Sequence, residues 1–368
     1  MGKGSLAVVL RADANPGIGV GHAMRCLALG QAWRDRSARV VLATREGAPG
    51  VEARMRDEGI EVFRVEATAG PAILRETVRI AVEVGAAWAV VDGAPVGCGL
   101  IDALHDVGCR LAMIDDEGTA CVARPDVIVN QNSYAAASLY TACTPATRLL
   151  LGPTYALLRR EFRDQPASER DVPAVGRKVL VTLGGSDPVN ATSLVLLAIE
   201  SVGVEPLDVI VALGTANVHA DAVSRQAAAS RVRVRIERDT PRMAELMTWA
   251  DVAVSSGGST VWELAFMGLP SLVGSIAPDQ RVLVGSSPFF ESIGPFTAVT
   301  PEALSAALRG LLLDRARRLD QSSRARSVVD GRGCERVLTV LSEIDRTARR
   351  PKAGSAPTDP HEARDERE

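Results

Sequence analysis

Two successive series of strand-then-helix segments, interrupted once, constrain this 368-residue chain more than any other feature. In the first series Ser5–Arg11, Arg39–Ala43, Ile60–Val65, Trp88–Val91 and Arg110–Ile114 read as strands. Gly21–Arg36, Val51–Glu58, Pro71–Val84 and Leu100–Val107 read as the helices between them, and Asp126–Asn130 is a candidate for one more strand. Arg159–Arg177 breaks the pattern with many charges, two prolines and little apolar periodicity, as an interdomain linker does. The second series has strands at Lys178–Leu183, Leu207–Leu213, Val232–Ile236, Asp251–Val254 and Ser271–Val273. Its helices are Ala191–Ile199, Met243–Thr248 and Ser259–Met267. Alternation of this kind builds parallel βαβ units. The expectation is an α/β chain of two Rossmann-like lobes: residues 1–160, a linker at 161–177, and residues 178–346. From Thr347 onward, residues 347–368 are polar and charged, cannot bury enough surface to offset ordering entropy, and are expected to be disordered.

Only 4% of the residues are aromatic against 46% hydrophobic, so the core must be Val, Leu, Ala and Ile, which suits parallel sheets covered on both faces. A formal net charge of −3 supplies no field for nucleic acid. No apolar run approaches the roughly 20 residues of a membrane span, and Leu6–Leu10 is too short for a signal segment, so membrane insertion is not expected and a cytoplasmic protein is. Six scattered cysteines (Cys26, Cys98, Cys109, Cys121, Cys143, Cys334) form no CxxC pair and read as reduced core residues.

Three strand-to-helix junctions carry chemistry. Gly17-Ile18-Gly19-Val20-Gly21-His22 lets backbone approach a ligand closely, but the third glycine of a dinucleotide fingerprint would fall where His22 stands. His22 opens a helix, whose positive end disfavours imidazolium and leaves a neutral base; a histidine merely bonded to the helix start is the alternative. Gly184-Gly185-Ser186 is either an anion loop or a tight turn. In Gly257-Gly258-Ser259-Thr260 two glycines strip away side chains where a helix N-terminus offers free N–H groups, and hydroxyls follow. Glu263, one turn on, is spaced to accept two ribose hydroxyls, although a Ser N-cap followed by Glu is also a capping pattern. Asp115-Asp116-Glu117 lacks a nearby histidine and reads as strand-end carboxylates rather than a metal site. Neither a metal nor an organic cofactor is expected.

Taken together, these segments resemble the nucleotide-sugar hydrolases of pseudaminic acid biosynthesis, over about residues 8 to 345. The resemblance is carried in the first half by Arg11-Ala12-Asp13, Gly19–Cys26, Val91-Asp92, Ile114-Asp115-Asp116, Asn130-Gln131-Asn132 and Leu151-Gly152-Pro153 with Tyr155–Arg159. In the second half it rests on Met243–Met247, Ala250-Asp251, Gly257–Thr260, Trp262-Glu263 and Gly268–Ser271. It implies a GT-B fold, two lobes facing an interdomain cleft, related to the enzyme that adds N-acetylglucosamine to the peptidoglycan lipid carrier. It further implies release of UDP from a UDP-linked 2,4-diacetamido-trideoxy sugar by water, with His22 as base. The chain departs from many relatives at Gly93-Ala94-Pro95, where they carry His or an aromatic, and at Asp279, where they carry Asn before Gln280.

The reading that results is a metal-independent hydrolase acting on a small-molecule nucleotide-sugar with inversion, since no second carboxylate is evident as a nucleophile. Gly184, Gly185, Ser186, Gly257, Gly258, Ser259, Thr260 and Glu263 would bind nucleotide, with backbone near Ile236 to Arg242 reading the base. Gly19, Gly21, Asp92, Asp279 and Gln280 would touch the substrate. A glycosyltransferase on the same fold, or a nucleotide-sugar-binding regulator, are the rival readings.

Overall fold

A computed structural model describes residues 6–15, 17–67, 70–93, 99–165, 170–214 and 216–349. Ser5, Ala94, Pro95, Cys98 and residues 350–368 of the expected tail lie outside the described residues.

The first series folds as β1 (Ala7–Arg11), α1 (Gly21–Arg34), β2 (Arg39–Thr44), α2 (Pro49–Asp57), β3 (Glu61–Arg64), α3 (Gly70–Val84), β4 (Ala86–Asp92), α4 (Leu100–Asp106), β5 (Arg110–Ile114), β6 (Val127–Asn130) and β7 (Arg148–Leu151). They make a parallel sheet of order β3-β2-β1-β4-β5-β6-β7. After a short α5 (Arg160–Arg163), the second series gives β8 (Lys178–Thr182), α6 (Ala191–Ile199), β9 (Asp208–Leu213), α7 (Ala220–Ala228), β10 (Arg233–Arg238), α8 (Met243–Trp249), β11 (Val252–Ser256), α9 (Thr260–Met267), β12 (Ser271–Ser275), α10 (Arg281–Ser286) and β13 (Glu291–Pro295). Its six-stranded parallel sheet has the order β10-β9-β8-β11-β12-β13. Three helices close the chain: α11 (Pro301–Leu313), α12 (Arg315–Val328) and α13 (Gly333–Arg349). Central strands such as β1, AVVLR, and β11, VAVSS, are buried along their whole length, as strands covered on both faces must be.

Strand order reverses direction between β1 and β4 in the first sheet and between β8 and β11 in the second. The crevice at such a reversal is where open parallel sheets bind ligands, because the helices on either side diverge there. His22 follows β1 and Asp92 ends β4; Gly184–Ser186 follows β8 and Gly257–Thr260 follows β11. Both halves of the expected site therefore sit at these reversals.

Two features differ from the sequence expectation. The segment expected as a linker packs closely: Phe162 and Val172 are buried, and Arg170 donates to the carbonyls of Met247, Ala250 and Met267 at the ends of α8 and α9. Arginine hydrogen bonds to helix C-terminal carbonyls leave no apolar period to read. The final helix, expected in the second lobe, returns to the first. Cys334, Val337, Leu338 and Leu341 of α13 join the core built on α1, and Trp88 Nε1 donates to Asp345 Oδ2 at 3.1 Å. This helix also runs through Thr347–Arg349, the start of the stretch expected to be disordered.

Cys121 and Cys143 form a disulfide with their Cα atoms 4.6 Å apart, which corrects the expectation of reduced cysteines at these two positions. A separation of 22 residues shows nothing of that proximity, which arises because both loops gather beside the end of β5 and β6. Cys26, Cys109 and Cys334 are buried thiols.

Candidate functional site

The first wall of the cleft is built on the opening of α1. The His22 side chain is 31% exposed, whereas Asp92 beside it is fully buried, so the imidazole reaches the cleft and the carboxylate does not. Asp92 Oδ1 lies 2.7 Å from His22 Nδ1. Arg25, one helical turn on, forks the same carboxylate, with Nε 2.8 Å from Oδ2 and Nη2 2.7 Å from Oδ1. Its Nη1 donates to Asp116 Oδ2 at 2.6 Å. Arg25 Nη2 also lies 3.0 Å from His22 Nδ1, but Asp92 Oδ1 is the nearer partner and an ionised carboxylate only accepts, so the proton of a neutral His22 is assigned to Nδ1, donated to Asp92, leaving the Nε2 lone pair free.

Burial disfavours imidazolium, but the hydrogen bond and negative charge of Asp92 outweigh it and raise the His22 pKa above its ordinary 6.5. This corrects the expectation drawn from the helix terminus: a carboxylate at hydrogen-bond distance outweighs the partial charge of the helix end. Burial likewise opposes the Asp92 anion, yet Arg25 and His22 hold its pKa below the usual carboxylate value. Asp92, expected to touch substrate, has both oxygens taken by His22 and Arg25. Its place is behind the histidine.

Gly93 adopts φ +65°, and a methyl placed on it would lie 2.6–2.7 Å from three ring atoms of His22. The departure from related sequences at this position therefore has a local reason, because the imidazole lies over the glycine backbone. Asp115 accepts from the amides of Glu117, Gly118 and Ala120, and Asp116 is bound by Arg25 and Asn132. These partners tie the acidic cluster into the loop. Tyr134 donates to the Asp116 carbonyl at 3.1 Å and packs against the second lobe's core.

The second wall is the β11–α9 junction. The Gly257 amide donates to Gly274 O, and those of Val261 and Trp262 turn back to Gly258 and Ser259. That leaves the Gly258, Ser259 and Thr260 amides at the mouth of α9. Ser259 makes no side-chain cap, and Glu263 Oε1 accepts from Arg159, so the capping alternative is not adopted. At Gly184–Ser186 the outcome differs. The Asp187 carboxylate accepts from the Ala191 and Thr192 amides, so the mouth of α6 is already occupied. A methyl on Gly185 would come within 2.4 Å of Val20 of the first lobe, which makes close interlobe packing a sufficient reason for that glycine.

His22, Arg25, Asp92, Gly184–Ser186, Gly257–Thr260 and Glu263 line one cleft of about 1690 Å³, and so do Asp239, Thr240, Pro241 and Met243 after β10, where the base was expected to be read. The lobes approach closely here: a methyl on Gly21 would be 3.7 Å from Ser259 Oγ, and one on Gly19 would be 3.8 Å from Ser186 Oγ. Asp279 and Gln280, in the turn Pro278–Gln280, lie on the second lobe beside the cradle, with Gln280 Oε1 accepting from Ile276 N at 3.0 Å. Arg25 and Arg159, named only within the matching runs, were given no site role, and Gly93 was marked only as a departure. An arginine three residues after His22 on one helix face was the available signal for Arg25.

No protein-family model matches the chain. The spore coat polysaccharide biosynthesis protein SpsG of Bacillus subtilis is 25% identical over 248 residues, covering 65% of this chain and 71% of that protein. Among solved structures, MurG of Acinetobacter baumannii superposes with a TM-score of 0.63 at 14% identity, covering 92% of this chain and 99% of that one. A complex of Staphylococcus aureus MnaA with UDP gives 0.65 at 11% identity, covering 94% and 99%. The chain has the GT-B fold: two parallel-sheet α/β lobes with a cleft between them.

Proposed function

We propose that this protein is a nucleotide-sugar hydrolase that releases UDP by attack of water at the anomeric carbon. The observation that carries the reading is the His22–Asp92–Arg25 array facing the Gly258–Thr260 amides across one cleft. Similarity to SpsG, whose name places it in polysaccharide biosynthesis, and to a structure in complex with UDP supports a nucleotide-sugar substrate.

In this mechanism the diphosphate lies at the mouth of α9 and Glu263 receives the ribose. Water attacks the anomeric carbon from the His22 side and gives its proton to Nε2, while Asp92 stabilises the imidazolium that forms. The bond from that carbon to the β-phosphate oxygen breaks, and its electron pair leaves with UDP, whose growing charge meets the three amides. Attack opposite the leaving group inverts the anomeric centre.

The GT-B fold and the likeness to MurG favour a second reading, in which an acceptor hydroxyl or amine replaces water. Incubation with a panel of UDP-sugars in oxygen-18 water, with and without candidate acceptors, separates the two. Label in the released sugar supports hydrolysis, and turnover only with acceptor supports transfer. UDP binding without any turnover leaves the protein a nucleotide-sugar-binding regulator and overturns both.

A further inference from the structure

The run Tyr155–Arg159 ends in a residue that the mechanism above does not use. Arg159 is 6% exposed, and its Nε and Nη2 both lie 2.8 Å from Glu263 Oε1. Its Nη1 pairs with Glu161 Oε1 at 2.9 Å, and its guanidinium sits 5.1 Å from the centre of the Phe162 ring. Glu161 in turn pairs through Oε2 with Arg54 of α2. Charges of alternating sign thus run from α9 of the second lobe, through Arg159 and Glu161, to α2 of the first. Glu263, Arg159 and Arg54 all line the cleft.

Glu263 is 7% exposed. A carboxylate that buried needs partners for its charge and lone pairs. The guanidinium opposite it is always charged and planar, so it offsets the cost of burying the carboxylate and fixes its plane. Both Arg159 contacts fall on Oε1, while Oε2 accepts no hydrogen bond among the described residues.

We propose that Arg159 is a positioning residue of the nucleotide site, holding the Glu263 carboxylate in place through Oε1 with Oε2 left for the ribose hydroxyls. Through Glu161 and Arg54 it anchors that hold on the first lobe. The proposal rests on Glu263 being the ribose-binding group.

The test is calorimetric binding of UDP-N-acetylglucosamine to the full chain. Thermal unfolding is followed in parallel. Arg159→Gln is expected to bind about tenfold more weakly than wild type. Arg159→Lys, which keeps the charge without the fork, is expected to lose about threefold. Both losses should vanish in the Glu263→Ala background, because Arg159 acts through that carboxylate. If Arg159→Gln does not fold, the Arg159→Lys cycle decides alone. Wild-type affinity in folded Arg159 variants, or a loss that persists without Glu263, overturns the proposal while leaving the nucleotide reading intact. Absence of binding in wild type, or binding indifferent to Glu263→Ala, overturns the nucleotide reading and this proposal with it.

Discussion

At the scale of single residues, the cleft turns on His22 and what holds it. A base must be neutral to accept a proton, and Asp92 raises the pKa of His22 above 6.5 against the opposing effect of burial. Turnover is therefore expected to rise with pH through a midpoint above 6.5 and to level off on the alkaline side. In Asp92→Asn the midpoint should move to lower pH while maximal turnover falls; a pH–rate profile that keeps its midpoint in this variant overturns the pairing. His22→Ala should cut turnover by about 10²–10⁴-fold with UDP affinity retained, which single-turnover and binding measurements check. Gly93→Ala is expected to act in the same direction. Its added carbon meets the His22 ring at 2.6 Å, so turnover should drop by roughly 10–100-fold through a displaced base while the nucleotide still binds. Equal activity of Gly93→Ala and wild type would show that the ring does not need that backbone.

At the scale of elements, helix ends decide most of what happens. α9 keeps its first amides open and α6 has them closed by Asp187, although both follow glycine-rich turns after central strands. Nothing in Gly184-Gly185-Ser186 or Gly257-Gly258-Ser259 separates the two by composition. The difference is an aspartate whose backbone turns at φ +42° and reaches the helix start. At the opposite ends, buried arginines take the place of apolar packing. Arg318 is fully buried and donates to the carbonyls of Leu311, Leu312, Pro173 and Ala174, fastening the end of α11 to the segment that leads into β8. Arg318→Ala is expected to destabilise the protein by about 2–4 kcal/mol, since several buried carbonyls lose their donor and a void is left. Urea unfolding reads this directly, and a loss under about 0.5 kcal/mol would mean the carbonyls find other partners.

At the scale of the molecule, the chain crosses between lobes twice, outward at residues 152–163 and back before Gly333. On the outward crossing Ala156, Leu158 and Phe162 enter the second lobe's core, and on the return α13 enters the first. Two elements held by the opposite lobe oppose independent unfolding of either. Leu338→Ala, at a position 1% exposed, should lower stability by about 2–5 kcal/mol. Because α13 follows directly from α12, whose Ala325 joins the second lobe's core, calorimetry should show one shifted transition; a first-lobe transition split from an unshifted second would show that the lobes melt separately.

Parallel strands, the two lobes and the glycine-rich junctions were legible in the residues, because buried β-branched strands and helix-opening glycines are local signals that survive whatever surrounds them. The edge strands were less so: β7, RLLL, is very short, and β13 carries Gly294 and Pro295, which weaken any strand pattern. His22 and Gly257–Thr260 were likewise marked by position after a strand. What only the tertiary structure decided was partnership. Asp92 stands 70 residues from His22, Arg159 stands 104 from Glu263, and Cys121 meets Cys143 across a loop. Each pairing follows from the order in which strands lie side by side and from where the chain crosses between lobes. Charge states and free lone pairs depend on such neighbours, so the residues named the two walls of the cleft, and the packing of one lobe on the other determined which groups remain open within it.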